Sequence, residues 1–419
     1  MPSFCLGAYL SLRLDNGKAS AKTKRIGIIF SSTFLARANI FYWDFMRILH
    51  FYKTYYPDTV GGVEQVINQL ARASVKLGID TQVLSLSAER KPATIEMEGH
   101  VAHCSKMDFQ IASTGFSTSV FSRFSQLIKD VDLIHYHYPW PFMDIVHFAS
   151  RVKIPTIVTY HSDIIRQKTL LKLYQPLKNR FLNSVDRIVA TSPNYMETSP
   201  VLDRYRDKTS VIPIGLDNST YSKTSPEVLS KWQQKFGTRF FLFVGMLRYY
   251  KGLHILLDAM KDTTYPVVIV GAGPLEEELK AQATRLGLQH IYFTGMLQNE
   301  DKAALLELCY AVLFPSHLRS EAFGISLLEG AMYGKPMISS EIGTGTSFIN
   351  IDKETGLVVK PSDAQAFRAA MQFLWDNPQV ALKMGQCAKE RYMALFTADQ
   401  MAASYAELYK NLLEEKARS

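Results

Sequence analysis

The chain has 419 residues, 47% hydrophobic, 12% aromatic and 21% charged. At about 150 residues per domain this points to two or three domains, and the composition excludes disorder, collagen and low-complexity sequence. Lys and Arg number 47 against 39 Asp and Glu, a net charge of +8, and the excess is uneven. Residues 1–45 hold six basic and two acidic side chains, residues 46–216 twenty and fifteen, and residues 217–419 twenty-one and twenty-two. A basic half joined to a neutral half fits a lobe that faces a polyanion, either nucleic acid or an anionic membrane surface, although scattered solvated lysines give the same sum. Cys5, Cys104, Cys309 and Cys387 are widely spaced, with no Cys-x-x-Cys pair, and read as reduced cytosolic thiols. No apolar run reaches the ~18 to 20 residues that a membrane-crossing helix needs, so a cytoplasmic chain, at most peripheral on the inner face of the cytoplasmic membrane, is expected.

Regular α/β patterning begins at Met46-Arg47-Ile48-Leu49-His50-Phe51, which would make a natural start. Residues 1–45 read as a leader outside the fold. A secretory signal is the competing reading, but more than twenty residues precede its apolar stretch from Ile26 to Leu35. From Met46 onward, short apolar runs alternate with helical patterns, the signature of parallel sheets wound with helices. Expected strands are Ile48–Phe51, Thr81–Ser85, Leu133–Tyr138, Thr156–Tyr160, Arg187–Ala190 and Ser210–Ile212, then Phe240–Val244, Val267–Val270, Ile291–Thr294, Ala311–Pro315, Pro336–Ser339 and Gly356–Val359. Pro213 and Gly215 punctuate a linker between the two sets. The expected organisation is a doubly wound α/β domain over 46–213, a second over 214–398 and a terminal helix over 399–419. Such sheets bind ligands beyond the carboxyl ends of their strands, so the residues just after each strand matter most.

After the first strand, Gly61-Gly62 precedes a helical run from Gln65 to Leu77. Paired glycines there let the backbone approach a ligand, and a helix start offers N–H groups to an anion, although a Gly-Gly pair alone is ordinarily just a turn. In Gly245-Met246-Leu247-Arg248-Tyr249-Tyr250-Lys251-Gly252, Arg248 and Lys251 sit where a guanidinium and an ammonium could clamp a diphosphate. Gly271-Ala272-Gly273-Pro274 starts like a dinucleotide fingerprint, but the third glycine is missing and Glu276-Glu277-Glu278 would repel a pyrophosphate. That disfavours an oxidoreductase. Glu321, with Ala322-Phe323-Gly324 beside it, lies in a loop, and Glu329 lies in the helix that follows. Carboxylates suit polyhydroxyl ligands because their oxygens accept from neighbouring hydroxyls. His161 follows a strand and places an imidazole at the cleft. His135 and His137 form a His-x-His that also fits zinc, but no Cys or carboxylate set follows at usable spacing, so no metal is expected. Asp130-Val131-Asp132 precedes its strand, at the wrong end of the sheet for a metal site in the cleft. Finally, residues 164–182 interleave Arg166, Lys168, Lys172, Lys178 and Arg180 with apolar side chains around Pro176. Such a helix fits an anionic membrane surface as well as it fits a core cover. No RNA or DNA module accompanies the charge, so nucleic acid is not an expected partner.

Gly61-Gly62, His161, Arg248 with Lys251, Gly271-Ala-Gly273-Pro274 and Glu321-x7-Glu329 occur in this order over residues 46 to about 400. The ordered set resembles the retaining glycosyltransferases of family four, which have the two-domain GT-B fold. The opening His50-Phe51-Tyr52-Lys53-Thr54-Tyr55-Tyr56-Pro57 looks further like bacterial O-antigen mannosyl- or rhamnosyltransferases. The resemblance implies transfer of a hexose from a nucleoside diphosphate sugar, expected to be a GDP-sugar, to a lipid-linked saccharide, with the α configuration kept and no cofactor or metal. By the same resemblance Arg248 and Lys251 bind the donor diphosphate, with Gly62 supplying a backbone contact. Glu329 holds the ribose, Glu321 and the Phe323-Gly324 backbone the sugar, His161 its hydroxyls or the transition state, and Met296-Leu297 border the base. Gly343-Thr344-Gly345-Thr346 departs from the Gly-Gly-acidic pattern of many relatives. The alternatives are a UDP-sugar-dependent transferase of another surface polysaccharide and a sugar-nucleotide epimerase of the same fold.

Overall fold

The computed structural model describes residues 45–89, 93–111, 114–164 and 168–418. The leader read over residues 1–45 lies, up to residue 44, outside the described residues, which begin at Phe45. The first set of strands comprises β1 (Met46–Phe51), β2 (Ile79–Ser87), β3 (Thr94–Met97), β4 (His100–Lys106), β5 (Phe109–Ile111), β6 (Thr114–Phe116), β7 (Leu133–Tyr138), β8 (Thr156–Tyr160), β9 (Arg187–Ala190) and β10 (Thr209–Val211). The second comprises β11 (Phe241–Val244), β12 (Val267–Val270), β13 (Ile291–Gly295), β14 (Ala311–Phe314), β15 (Met337–Ser340) and β16 (Gly356–Val359).

Two large sheets result, ordered β10-β9-β8-β7-β1-β2-β4-β3 and β13-β12-β11-β14-β15-β16, with β5-β6 as a separate hairpin. Apart from β3 on β4, their described pairs are parallel. In the second sheet Val267–Val270 and Ala311–Phe314 are buried on both faces, as parallel strands between helix layers must be. The first sheet differs. Alternation along β1, β7 and β8 sends Leu49, Phe51, Ile134, Tyr136, Tyr138, Val158 and Tyr160 to one apolar face. The other face receives His50, His135, His137, Thr159 and His161, all buried.

The terminal helix Ala398–Arg418 lies under that polar face, where its Tyr409 hydroxyl meets His135 Nδ1 at 2.7 Å and its Tyr405 hydroxyl meets Thr159 Oγ1 at 2.7 Å. The chain therefore passes between lobes twice. The two passages are stitched together: the Leu216 N–H donates to the Phe396 carbonyl at 2.9 Å, and the Ala398 N–H to the Leu216 carbonyl at 3.0 Å.

The basic segment 164–182 is only partly a surface. Its helix runs Lys168–Ser184 with Pro176 inside it. Phe181 and Leu182 belong to the lobe's core and Lys178 is 7% exposed, with burial pulling its pKa below the ordinary lysine value. The Tyr174 hydroxyl donates to Asp144 Oδ2 at 2.5 Å. The reading of Lys178 as a lipid-facing cation is thereby corrected. A helix that must cover a sheet face turns its apolar stripe inward and carries part of its polar side with it. Leu173, 77% exposed, remains on the outer side.

Candidate active site

In each large sheet the strand order turns about one pair, β11 and β14 in one and β1 and β7 in the other. Crevices open beyond the carboxyl ends at such switch points. The geometry brings together residues that are distant in sequence. Lys251 closes the turn Tyr249–Lys251 after β11, and Glu321 lies in the loop after β14. Their side chains meet at 2.5 Å from Nζ to Oε2, with 13% and 12% exposure. Burial alone would lower the Lys251 pKa, but the Glu321 carboxylate beside it outweighs that, and the ammonium is held above its ordinary value.

Glu329 lies in the helix Ile325–Met332 and is 3% exposed. Its Oε1 accepts from Lys302 Nζ at 2.9 Å and from the Tyr221 hydroxyl at 2.9 Å. Neither partner stands out in the sequence. Lys302 sits in the charged run Asn299-Glu300-Asp301-Lys302, which reads as a solvated helix face until the fold turns it toward Glu329.

Gly62, His161, Ser320, Glu321, Phe323 and Gly324 line a cavity of about 180 Å³. Gly62 opens the helix Gly62–Ser74, three residues earlier than the expected run, which places its backbone at the cavity. Gly61 has another task. A Cβ there would lie 2.5 Å from Glu64 Oε2, because the Glu64 side chain folds back to accept from Thr54 at 2.8 Å and Thr59 at 3.0 Å. Packing against Glu64 at the helix start therefore gives Gly61 a reason to be glycine.

Arg248 precedes the turn that Lys251 closes, and its carbonyl accepts from the Lys251 N–H at 3.0 Å. Its side chain is exposed, with Nε 2.8 Å from Met246 Sδ. It lies close enough to Lys53, at the end of β1, for its charge to add to the burial that lowers the Lys53 pKa, against the pull of Glu64. A cation of each lobe therefore feels the charge of the other. Lys53 was not singled out, since a lysine just past a strand looks like a solvated charge. Met296 is 81% exposed on the rim after β13, and Leu297 packs partly buried against the core.

The truncated glycine fingerprint has a structural cause. A Cβ at Gly271, where φ is +133°, would lie 2.0 Å from the Gly245 carbonyl oxygen. The loops after β11 and β12 are joined there by Gly245 N–H to Val270 O and Leu247 N–H to Ala272 O, both at 3.0 Å. The glycines pack loop on loop. Asp132 accepts from the Arg47 backbone at 2.8 Å and from its guanidinium at 3.1 Å, at the amino end of β1 and β7.

A family model described as Glycosyltransferase Family 4 matches residues 60–220, and one described as Glycosyl transferases group 1 matches residues 226–391. The chain is 62% identical over 374 residues to the D-rhamnosyltransferase WbpZ of Pseudomonas aeruginosa, covering 89% of this chain and 98% of the relative. It is 52% identical over 372 residues to the O-antigen chain mannosyltransferase C of Escherichia coli, covering 89% and 100%. Among solved structures, the sucrose-phosphate synthase from Thermosynechococcus elongatus superposes with a TM-score of 0.73 at 21% identity, covering 88% of this chain and 100% of that one. Anabaena HepE in complex with UDP-glucose superposes at 0.68 and 21% identity, covering 87% and 100%. The shared architecture is the GT-B fold.

Proposed function

Because the chain belongs to glycosyltransferase family four, we propose that it moves mannose or D-rhamnose from a GDP-sugar onto a lipid-linked saccharide in O-antigen synthesis, with the α configuration retained. The observation that carries this reading is the cavity that Glu321 shares with His161, with Lys251 paired to Glu321 behind it. Departure of a nucleoside diphosphate leaves new negative charge on its β-phosphate, and fixed cations stabilise that charge best where water is excluded. Lys251 would take this oxygen, exchanging part of its contact with Glu321. The Arg248 charge lowers the Lys53 pKa from the other lobe, a repulsion that an anion near both would relieve. Gly62 would add a backbone contact, and Glu329 would hold the ribose hydroxyls.

Glu321 would bind sugar hydroxyls. Its carboxylate is committed to Lys251, so it is a poor nucleophile, and the attacking hydroxyl would pass its proton to the departing phosphate. With cations supplied by side chains, transfer would need no divalent ion. The exposed rim at Met296 would border the base. Among the described residues no helix is long and apolar enough to cross a membrane. Approach to a lipid-linked acceptor would use the outer side of the helix Lys168–Ser184, around Lys172 and Leu173.

A donor screen tests this directly, with GDP-mannose, GDP-D-rhamnose and UDP-glucose each offered with a synthetic lipid-linked saccharide in the presence of EDTA. We expect a GDP-sugar to be consumed only when acceptor is present and to give an α-linked product by NMR. Consumption without acceptor would indicate an epimerase. A β-linked product would end the retaining assignment, and loss of transfer in EDTA would end metal independence.

A further inference from the structure

A row of histidines runs under the cleft, and only its last member touches the cavity. His50, His137 and His161 come from β1, β7 and the end of β8, neighbouring parallel strands at the switch point. His50 Nδ1 lies 2.9 Å from His137 Nε2, and His137 Nδ1 lies 2.9 Å from His161 Nε2. Each pair has ring centroids 5.2 Å apart, with planes inclined by only 20° and 18°. Rings at that separation with nitrogens so close must meet edge to edge, with both nitrogens near the line between the ring centres.

His135 lies beside the row, 4.4 Å from His137 between centroids. Ligand atoms of His50, His135 and His137 gather within 4.8 Å, close enough to raise the question of a metal. Their lone pairs do not converge, however. His50 Nδ1 and His137 Nε2 face each other as one donor and one acceptor, and the nitrogens of His135 end on the Tyr409 hydroxyl at 2.7 Å and Thr159 Oγ1 at 2.6 Å. The cluster is built for hydrogen bonding between rings and hydroxyls.

All three rings of the row are buried. Burial pushes His50 and His161 down to about 3 and His137 well below its ordinary value, so each ring is neutral, with one N–H and one lone pair. That stoichiometry couples them. If His137 donates to His161 through Nδ1, its Nε2 can only accept from His50. If it accepts from His161, it must donate to His50. The row therefore has two orders, with every proton on Nδ1 or every proton on Nε2, and a mixed row loses an interior hydrogen bond.

With Nε2 of His161 taken by His137, Nδ1 is the nitrogen left for the cavity. We propose that His137 and His50 are positioning residues that set, through this imidazole row, whether His161 Nδ1 donates to or accepts from a ligand in the cleft. The functional part rests on the reading of His161 as a donor-sugar contact. The row extends that reading to two residues that touch no substrate.

The test uses the full chain with nitrogen-15 in its histidine rings and long-range proton–nitrogen correlation, which reports each tautomer. We expect His50, His137 and His161 to share one tautomer or, in fast exchange, one population ratio. A mixed row in the wild-type protein overturns the proposal. His50→Leu should shift the tautomer ratio of His161 and lower kcat about tenfold, the scale of one hydrogen bond, with the donor KM kept. His50→Asn, whose amide can meet His137 Nε2 in either sense, should restore both. An unchanged His161 ratio in His50→Leu also overturns the proposal. Tautomers are read without turnover, so the two readings fail separately: wild-type transfer by His161→Ala removes the site assignment and leaves the row standing.

Discussion

In the C-terminal lobe the groups at the cleft are ions held in pairs, Lys251 with Glu321 and Lys302 with Glu329. The N-terminal lobe faces the same cleft with a neutral imidazole backed by two more, all hydrogen-bonded. The contrast is one of means. Poorly solvated charges keep their ionisation through a partner, and losing one partner leaves the other stranded. Neutral rings risk only a hydrogen bond each but depend on the order of their protons. The C-terminal lobe thus suits a ligand that brings charge, and the N-terminal lobe suits hydroxyls.

This contrast predicts unequal mutational effects. The largest belongs to Lys251→Ala, which removes the cation paired with Glu321 of the cavity wall and should lower transfer by about 10²-fold or more, measured in single turnover with circular dichroism confirming the fold. A rate near wild type would move the charge stabilisation away from this lobe. Glu329→Gln should come next. It keeps an oxygen for the Tyr221 hydroxyl but strands the Lys302 ammonium, so a loss of about 3 kcal/mol in urea unfolding is expected, with a raised donor KM. Unchanged stability would mean that Lys302 reaches water when its partner is neutral.

The neutral lobe should betray itself through acid. His50 and His161 are held at about 3 by burial, against an ordinary value of 6.5. Above pH 6.5 folded and unfolded chains are alike in these rings. Below it the unfolded chain takes up protons that the folded one refuses, so stability falls as pH drops from about 6.5 toward 3, by up to about 1.4 kcal/mol per pH unit for each ring. Tm followed from pH 7 to 4 should decline before the carboxylates begin to titrate, and less steeply in His50→Leu. An identical decline in that variant would assign it to other groups.

Much of this was legible in the sequence, and the exceptions share a cause. Leu133–Tyr138, Thr156–Tyr160 and Val267–Val270 have the bounds that their run of side chains indicates, because turn residues close each run. β3 to β6 carry no clear strand signal, since Thr94–Met97 is half exposed and its partner β4 carries two histidines. In the site, Lys251, Glu321 and His161 could be found because each lies in the segment that follows a strand, and Glu329 because it lies in the helix after such a loop. Lys302, Tyr221, Lys53 and His50 could not, because the groups they meet come from elements distant in sequence. Spacing finds a His-x-His, but it cannot show that His137 bonds a ring from β1 on one side and a ring from β8 on the other.

The smallest expected effect lies where the two kinds of surface touch. Arg319, in the loop after β14, reaches the other lobe. Its Nη1 donates to Thr198 Oγ1 at 3.0 Å and to the Gly343 carbonyl at 2.6 Å, and its Nη2 donates to the Thr198 carbonyl at 3.3 Å. Asp163 Oδ2 is 3.8 Å away, and that carboxylate also accepts from the Tyr160 hydroxyl at 2.9 Å and Ser199 Oγ at 3.0 Å. Arg319→Ala therefore strands no charge: Asp163 keeps its hydroxyl donors, and the arginine itself is 32% exposed. Partly exposed contacts of this kind contribute about 0.2 to 1 kcal/mol, so the donor KM should rise about two- to fivefold with kcat nearly unchanged. A fall in kcat as large as that of Lys251→Ala would mean that Arg319 acts on the reacting groups, and the division between a charged lobe and a neutral one would have to be redrawn around it.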